Sequence, residues 1–260
     1  MTRRIASPIS TFFADFHAAE GIMRASDCLE CRDHFAQQQY PHEELFHFEA
    51  ELIKSWSDSE RSFIQKNIAA KPDLRILSFH AGSSFTKPKI VNQHFEPGGE
   101  RVAASDLQKN ARENVMWLRS VLDKEQTIAL ENNNYYATPA YDDVTDGSFL
   151  TAVLEENNIA LLFDIAHAHI TACNRGLSFE EYTANLPLQR AVQIHISRCI
   201  INPDGSASDA HLPPDGEVFA EVKTFTLRFP QIRYFTIEYY QDAGILLQSL
   251  VRLRALLSTL

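Results

Sequence analysis

Positive charge is in short supply: 24 Lys and Arg stand against 34 Asp and Glu, a formal net charge of −10. That balance argues against a broad electrostatic footprint for nucleic acid or for an anionic membrane. Cysteine is scarce too. Cys28, Cys31, Cys173 and Cys199 are the only four thiols in 260 residues, too few for the disulfide framework of a small secreted domain. Long apolar runs are missing. None approaches the roughly 18 residues needed to cross a bilayer, and the opening MTRRIASPISTFF lacks the apolar stretch and cleavage region of a signal peptide. No Pro/Gly/Ser tract and no block of like charge marks a disordered segment. These absences predict a chain that is globular throughout, soluble and cytoplasmic.

What is present is a pattern of short apolar strands that close on a histidine or a carboxylate. LFHF carries His47, ILSFH His80, TIALEN Glu131, LLFDIAH Asp164 and His167, VQIHIS His195, and YFTIEYY Glu238. Between the last two lies DAH, with Asp209 and His211, in a stretch rich in Pro, Gly and Asp that reads as a loop. A parallel barrel gives this pattern when metal ligands sit at the carboxyl ends of its strands, where such barrels do their chemistry. Nine N/O ligands in strand order exceed what one mononuclear centre takes.

The remaining sequence supplies the helices such a barrel needs. Strand one is expected around ISTFF, then a helix from Phe16 to Ala25, strand two around CLEC and strand three at ELFHF. Ser57–Ala70 opens with a Ser or Asp cap and acids in its first turn, the mark of a helix start. RILSFH follows as strand four, and after a long connection Leu107, Ala111, Val115, Leu118 and Leu122 keep the i, i+4 rule of an amphipathic helix. TIALEN is strand five, and Asp143–Asn158 a capped helix with Phe149, Leu150, Val153 and Leu154 inward. IALLFDIAH, an unbroken apolar run, is strand six. A short helix at SFEEYTANL, strand seven at AVQIHIS, a helix at GEVFAEVKTFTLRF, strand eight at RYFTIEYY and a closing helix complete the series. The fold class is therefore α/β, a single (β/α)8 TIM-type barrel over residues 1–260, a length near the about 250 residues such barrels use. In CLEC, residues three apart on a strand face opposite ways, so Cys28 and Cys31 read as buried small apolar groups and not as a redox or zinc pair.

Any one of the candidate ligands has an ordinary explanation. His47 and His80 can be strand-end histidines bonded to backbone, Glu131 a loop cap, and Asp164 an arginine partner. His17, His34, His42, His94 and His169 lack the strand-end setting and read as surface or supporting groups. The combination is harder to dismiss, because carboxylates at the inner ends of three strands repel one another unless cations or protons neutralise them. Mixed N/O ligands without a convincing thiolate suit Zn, Mn or Fe.

The order His47, His80, Glu131, Asp164-x-x-His167, His195, Asp209-x-His211, Glu238 is similar to the ligand order of the xylose-isomerase-like barrel superfamily, and especially of the type-IV apurinic endonucleases with their three zinc ions. A second resemblance covers LENNNYY, the stretch from TDGSFL through the Asn174-Arg175-Gly176 turn and NLP to VQIHIS, and DAHLPPDGEVFAEV. It resembles the multinuclear non-haem iron oxidative enzymes, which act on cysteine or other residues of ribosomally made peptides, often with a partner protein. The chain departs from that family at His167, where those enzymes usually carry Asn, and in lacking a Gly-His pair after strand seven.

The iron resemblance implies two or three Fe ions, with Glu131 as bridging carboxylate, His47, His80, Asp164, His195 and Glu238 as neighbouring ligands, and His167, Asp209 and His211 on a further metal. The expected activity is oxidative modification of a peptide, at a cysteine-type residue, or of a small thiol, with a substrate-presenting partner protein as a further expectation. The alternatives are a zinc-dependent phosphodiester hydrolase, and a divalent-metal (Zn or Mn) sugar isomerase or epimerase in which Glu131 or Glu238 acts as base. Arg175, Arg198, Tyr135 and Tyr239 are candidate substrate-binding residues near strand ends. With so few cations in its loops, the chain is expected to bind neither nucleic acid nor membrane.

Overall fold

In a computed structural model that describes residues 2–92 and 94–260, eight parallel strands close into a barrel. They are β1 (Arg4–Pro8), β2 (Cys28–Arg32), β3 (Glu43–Glu51), β4 (Ile76–His80), β7 (Thr127–Glu131), β8 (Ala160–Asp164), β9 (Ala191–Ile196) and β12 (Tyr234–Ile237). β1 pairs with both β12 and β2, which leaves no open edge. Four further strands make two antiparallel hairpins at the mouth: β5 (Lys89–Val91) with β6 (His94–Glu96), and β10 (Arg198–Ile201) with β11 (Ala207–Leu212). The helices are α1 (Phe16–Ala25), α2 (Asp58–Ala70), α3 (Ala104–Val121), α4 (Gly147–Glu156), α5 (Ile165–Arg175), α6 (Phe179–Ala184), α7 (Gly216–Arg228) and α8 (Ala243–Ser258).

Local chemistry accounts for these elements. Ser57 and Glu60 form a full capping box on α2, and Ser178 and Glu181 form one on α6. Leu107, Ala111, Val115 and Leu118 are all buried along one face of α3. The strands alternate as barrel strands must. Phe46, Phe79, Leu130, Phe163, Ile194 and Phe235 point outward into one large apolar shell under the helices. Ala6, Cys28, Leu45, Ile76, Ala129 and Leu162 form a separate small cluster that fills the floor of the barrel. Cys28 and Cys31 thus lie on opposite faces, as expected, and burial pushes both thiols up to about 12.

Four elements differ from the sequence reading. Strand one is Arg4–Pro8, and ISTFF instead leads into a 3-10 turn at Thr11–Ala14 that Ser10 caps. Strand six stops at Asp164, whose side chain accepts from His167 N and starts α5 at once, so His167 is helical. Asp209 and His211 lie on β11, not in a loop, because Asn202–Gly205 turns the chain tightly, with Gly205 at φ 86°, and lets β10 and β11 pair. The connection before α3 contains the β5–β6 hairpin.

Candidate metal centre

Going up the barrel, inward residues change from apolar to ionisable. Above Cys28 come Glu30 and Arg32; above Leu45, His47; above Ile76, Ser78 and His80; above Ala129, Glu131; above Leu162, Asp164; and above Gln193, His195. Period-two alternation alone brings these side chains together at the carboxyl end of the barrel. Glu238 follows β12 directly, His167 enters from the first turn of α5, and Asp209 and His211 arrive from β11.

Glu131 lies at the centre. Its Oε2 is 3.4 Å from His47 Nε2 and 3.0 Å from His80 Nδ1, and its Oε1 is 3.1 Å from His195 Nδ1. His195 Nδ1 also stands 3.3 Å from Glu238 Oε2 and 3.9 Å from Asp164 Oδ2. On the far side His167 Nε2 is 3.7 Å from Asp209 Oδ2, His211 Nδ1 is 3.3 Å from Asp209 Oδ1, and His211 Nε2 is 3.5 Å from Glu238 Oε2. All nine expected ligands therefore converge on one continuous cluster.

Fixed partners decide which nitrogen each histidine presents. His47 Nδ1 is 2.9 Å from Ser78 Oγ, which itself lies 3.5 Å from Phe46 O, and His167 Nδ1 is 2.9 Å from the Asn132 carbonyl. In each ring the Nδ1–H is thereby engaged and Nε2 faces the cluster. His195 is turned the other way: its Nε2 is 3.0 Å from Glu30 Oε2, so Nδ1 faces inward. Holding the outer nitrogen on a carboxylate or carbonyl is how metal-binding histidines are oriented.

The fit to a metal rests on what these groups lack. Although His80 Nδ1 and His47 Nε2 stand 3.0 and 3.4 Å from Glu131 Oε2, neither approach is aligned as a hydrogen bond, and His47 Nε2, Glu131 Oε2 and Asp164 Oδ2 are all buried without one, a costly state for polar atoms. Three groupings have ligand atoms close enough to share an ion: His47, His80 and Glu131; Glu131, Asp164 and His195; and Glu30, His195 and Glu238. Convergent orphan acceptors with a carboxylate and imidazole donor set suit a divalent cation.

Electrostatics point the same way. Burial drives the His47 imidazolium down to about 4, aided by His80 and Arg32 against the pull of Glu131. Burial pushes Asp164 up to about 7, with Glu131 and Glu238 repelling its charge and His167 and His195 opposing. Burial disfavours the charged form of His195 as well, yet Glu238, Glu30 and Glu131 outweigh it and raise that imidazole well above its usual range. For Glu131 burial is likewise outweighed, by His47 and His167, and its carboxyl is held well below the usual range. A metal must displace protons from Asp164 and His195. Affinity for manganese(II) is therefore expected to rise as pH passes from about 6 to 8, with the share due to Asp164 levelling off above about 7. Isothermal titration across that range measures it, and an unchanged affinity would remove proton competition from the site.

Two residues from β2 escaped the sequence reading. Glu30 is fully buried and accepts from Gln193, from Thr236 Oγ1 at 3.3 Å and from Arg32 at 2.6 Å, besides its contact with His195. Arg32 also pairs with Glu238. The signal was available, since Glu30 is an acid inside a short apolar strand, two residues above inward-facing Cys28.

The expected substrate residues are more scattered. Tyr239 is buried in the outer apolar shell, and it is Tyr240 whose Oη lies 3.3 Å from Glu238 Oε1. Arg175 is engaged by Asp146 and Thr145, each at 2.6 Å, and stacks over Tyr135 with its guanidinium 4.6 Å from the ring centroid. Arg198 stands 3.5 Å from Asp215 at the rim. Two cavities open beside the centre. One of about 330 Å³ is lined by Ile9, Arg32, Phe35, His47, His80 and Tyr240; the other, of about 250 Å³, by His80, Ile90, Phe95, Tyr141, His167 and Asp209. His80 and Glu49 belong to both walls. A larger cavity of about 620 Å³, bounded by Arg119, Arg190 and Gln231, lies among residues at the amino-terminal ends of β7, β8 and β9, away from the ligands.

Comparison with known proteins adds a family. Residues 104–237 match the sequence model described as RiPP precursor modification enzyme MbnB/TglH/ChrH. A UPF0276 protein of Caulobacter vibrioides is 34% identical over 73 residues, covering 28% of this chain and 26% of that protein. One from Paraburkholderia phytofirmans is 30% identical over 73 residues, covering 28% and 24%. The matched stretch thus spans about a quarter of the length of these curated relatives. Among solved structures, a D-allulose 3-epimerase from Methylomonas sp. superposes with a TM-score of 0.61 at 13% identity, covering 99% of this chain and 100% of its own. An L-ribulose 3-epimerase does so with 0.59 at 12%, covering 100% and 95%. At such identities the likeness is one of fold, a TIM barrel.

Proposed function

Since the chain belongs to the MbnB/TglH/ChrH family of RiPP precursor modification enzymes, we propose that it is a multinuclear metalloenzyme that oxidatively modifies a peptide at a cysteine-type residue. The observation that carries this reading is the set of buried, unpartnered acceptors on His47, Glu131 and Asp164 at the centre of the barrel mouth. Glu131 would help hold two ions, one with His47 and His80 and the other with Asp164, His195 and Glu238. His167, Asp209 and His211 would hold a third. We assign iron to these positions, which supplies dioxygen reduction and a binding place for a substrate thiolate when bound.

The chain's own groups do the rest. Ser78, Asn132 and Glu30 hold His47, His167 and His195 in their ligating orientation, and Arg32 offsets part of the charge of Glu30 and Glu238. The two cavities meeting at His80 favour an extended substrate over a compact sugar: a chain crossing the mouth would set one neighbour of the reacting residue against Ile9 and Phe35, and the other against Ile90 and Phe95. A partner protein that presents the peptide belongs to the same proposal. No helix among the described residues is long and apolar enough to cross a membrane.

Anaerobic purification with elemental analysis, followed by air exposure with cysteine-containing peptides and mass spectrometry, tests the proposal. Two or three irons per chain and a dioxygen-dependent mass change in the peptide are expected. Stoichiometric zinc without iron, with cleavage of an abasic-site duplex, would replace it by hydrolysis; epimerisation of a ketohexose with manganese would replace it by sugar chemistry.

A further inference from the structure

The ligand set has two kinds of support. His47, His80, Glu131, Asp164 and His195 stand on barrel strands, whereas Asp209 and His211 stand on the β10–β11 hairpin, whose strands, among the described residues, pair only with each other. Something other than the barrel ladder must set where that hairpin sits. Its hydrogen bonds to the rest of the chain are few and unequal. Gln241 Nε2 reaches Ala210 O and Cys173 Sγ reaches Gly205 O at 3.4 Å each, and Asp209 N reaches Tyr136 Oη at 3.2 Å. Among the described residues the short ones involve a single residue: Ala207 N donates to Asn174 Oδ1 at 2.7 Å, and Asn174 Nδ2 donates to Ala207 O at 3.0 Å.

Asn174 thereby treats Ala207 as a neighbouring strand would, engaging both its N–H and its C=O. Such two-point pairing fixes register, and in a strand a one-residue slip turns every side chain to the other face. Asp209 lies two residues beyond Ala207 and His211 four, in the stretch where the β10–β11 pairing shifts its register. Asn174 is itself anchored, because Nδ2 also donates to Tyr135 O at 2.7 Å. It shares a face of α5 with His167 and Thr171, and Thr171 Oγ1 accepts from Tyr135 N at 3.0 Å and donates to Asn133 O at 3.2 Å. One helix face thus joins the segment after β7, the ligand His167 and the hairpin. His211 adds a second observation: its φ of 42° lies in the left-handed region, which is uncommon for a residue with a Cβ.

We propose that Asn174 is the positioning residue for the Asp209 and His211 half of the centre, latching the hairpin so that Asp209 meets His167 and His211 meets Asp209 and Glu238. The proposal rests on the metal reading above. Its test is manganese(II) titration of the full chain as wild type, Asn174→Ala, Asn174→Asp, His211→Ala and the Asn174→Ala/His211→Ala pair, with circular dichroism as the check on folding. Asn174→Ala is expected to weaken one class of manganese site by about 10–100-fold, the usual cost of losing an orienting partner, and to leave the remaining sites within about twofold. The pair should be no worse than His211→Ala alone, because both changes act on one position. Asn174→Asp keeps the acceptor and loses both donors; it should show the same selective loss and serves if the alanine protein does not fold. Wild-type affinity in either Asn174 variant, or additive losses in the pair, would overturn the latch. Unchanged manganese binding in His211→Ala would instead overturn the metal assignment beneath it.

Discussion

Glu131→Gln is expected to yield a folded protein that has lost the metal shared between the His47/His80 side and the Asp164/His195/Glu238 side. Activity should fall by more than the roughly hundredfold that loss of a supporting partner costs, because Glu131 faces both sides directly, at 3.0–3.4 Å from three imidazoles. The amide keeps the shape of the side chain and removes its charge, so the barrel floor and helical shell are undisturbed. Metal content by elemental analysis and the thermal transition by circular dichroism are the readouts. A folded variant with full metal and activity would sink the central role of Glu131, and with it the multinuclear arrangement.

Glu30→Gln should have the second largest effect, and on stability as much as on metal. Glu30 is wholly buried and receives donors from Arg32, Gln193, Thr236 and His195. A glutamine offers an NH2 to one of those donors and leaves Arg32 with Glu238 as its one remaining carboxylate. Breaking a buried charged pair costs about 3–5 kcal/mol, which for a chain of this size lowers Tm by about 6–20 °C. Affinity at the position held by His195 should fall by about 10–100-fold. The sign of the pH dependence follows from the same contacts. Burial alone would raise the Glu30 carboxyl, but His195 and Arg32 outweigh it and hold it at about 2. The stability it contributes is therefore present above its unfolded pKa of about 4.5, and is lost as pH falls from there toward about 2. Metal-free wild type should accordingly lose stability across that acid window, and Glu30→Gln should flatten the loss. A variant with wild-type Tm and an unchanged acid limb would show that Glu30 is replaceable packing.

Much of this candidate site is legible in the sequence alone, for a reason particular to barrels. A parallel barrel strand ends where the chemistry is, so an ionisable residue closing an apolar run is already placed in space by its rank along the strand. That holds for His47, His80, Glu131, Asp164 and His195, which rest on period-two alternation alone. It held less well where placement depended on a local choice between backbone forms. His167 reads as the tail of a strand because IALLFDIAH is apolar throughout, yet Asp164 caps a helix at that point, and a capped helix and a buried strand have the same composition over so short a run. Asp209 and His211 read as loop residues because Pro, Gly and Asp surround them; a tight turn at Gly205 makes that same composition a hairpin. Tyr239 and Tyr240 differ by one position, and in an extended chain one position is the difference between the apolar shell and the site.

The amino-acid sequence by itself determined the barrel, its alternation of strands and helices, and the identity and strand order of nine candidate ligands, because each depends on periodicities that neighbouring residues carry among themselves. Only the tertiary structure decided that Glu30 and Arg32 stand behind His195 and Glu238, that Asn174 grips the hairpin bearing Asp209 and His211, and that Arg175 is engaged with Asp146 while Tyr240 faces Glu238. Apart from Tyr240 and Glu238, which are two residues from each other, those pairings join positions separated by tens to hundreds of residues. Closure of the barrel brings them within hydrogen-bond reach, and no local pattern encodes a distance that appears only when the last strand pairs with the first.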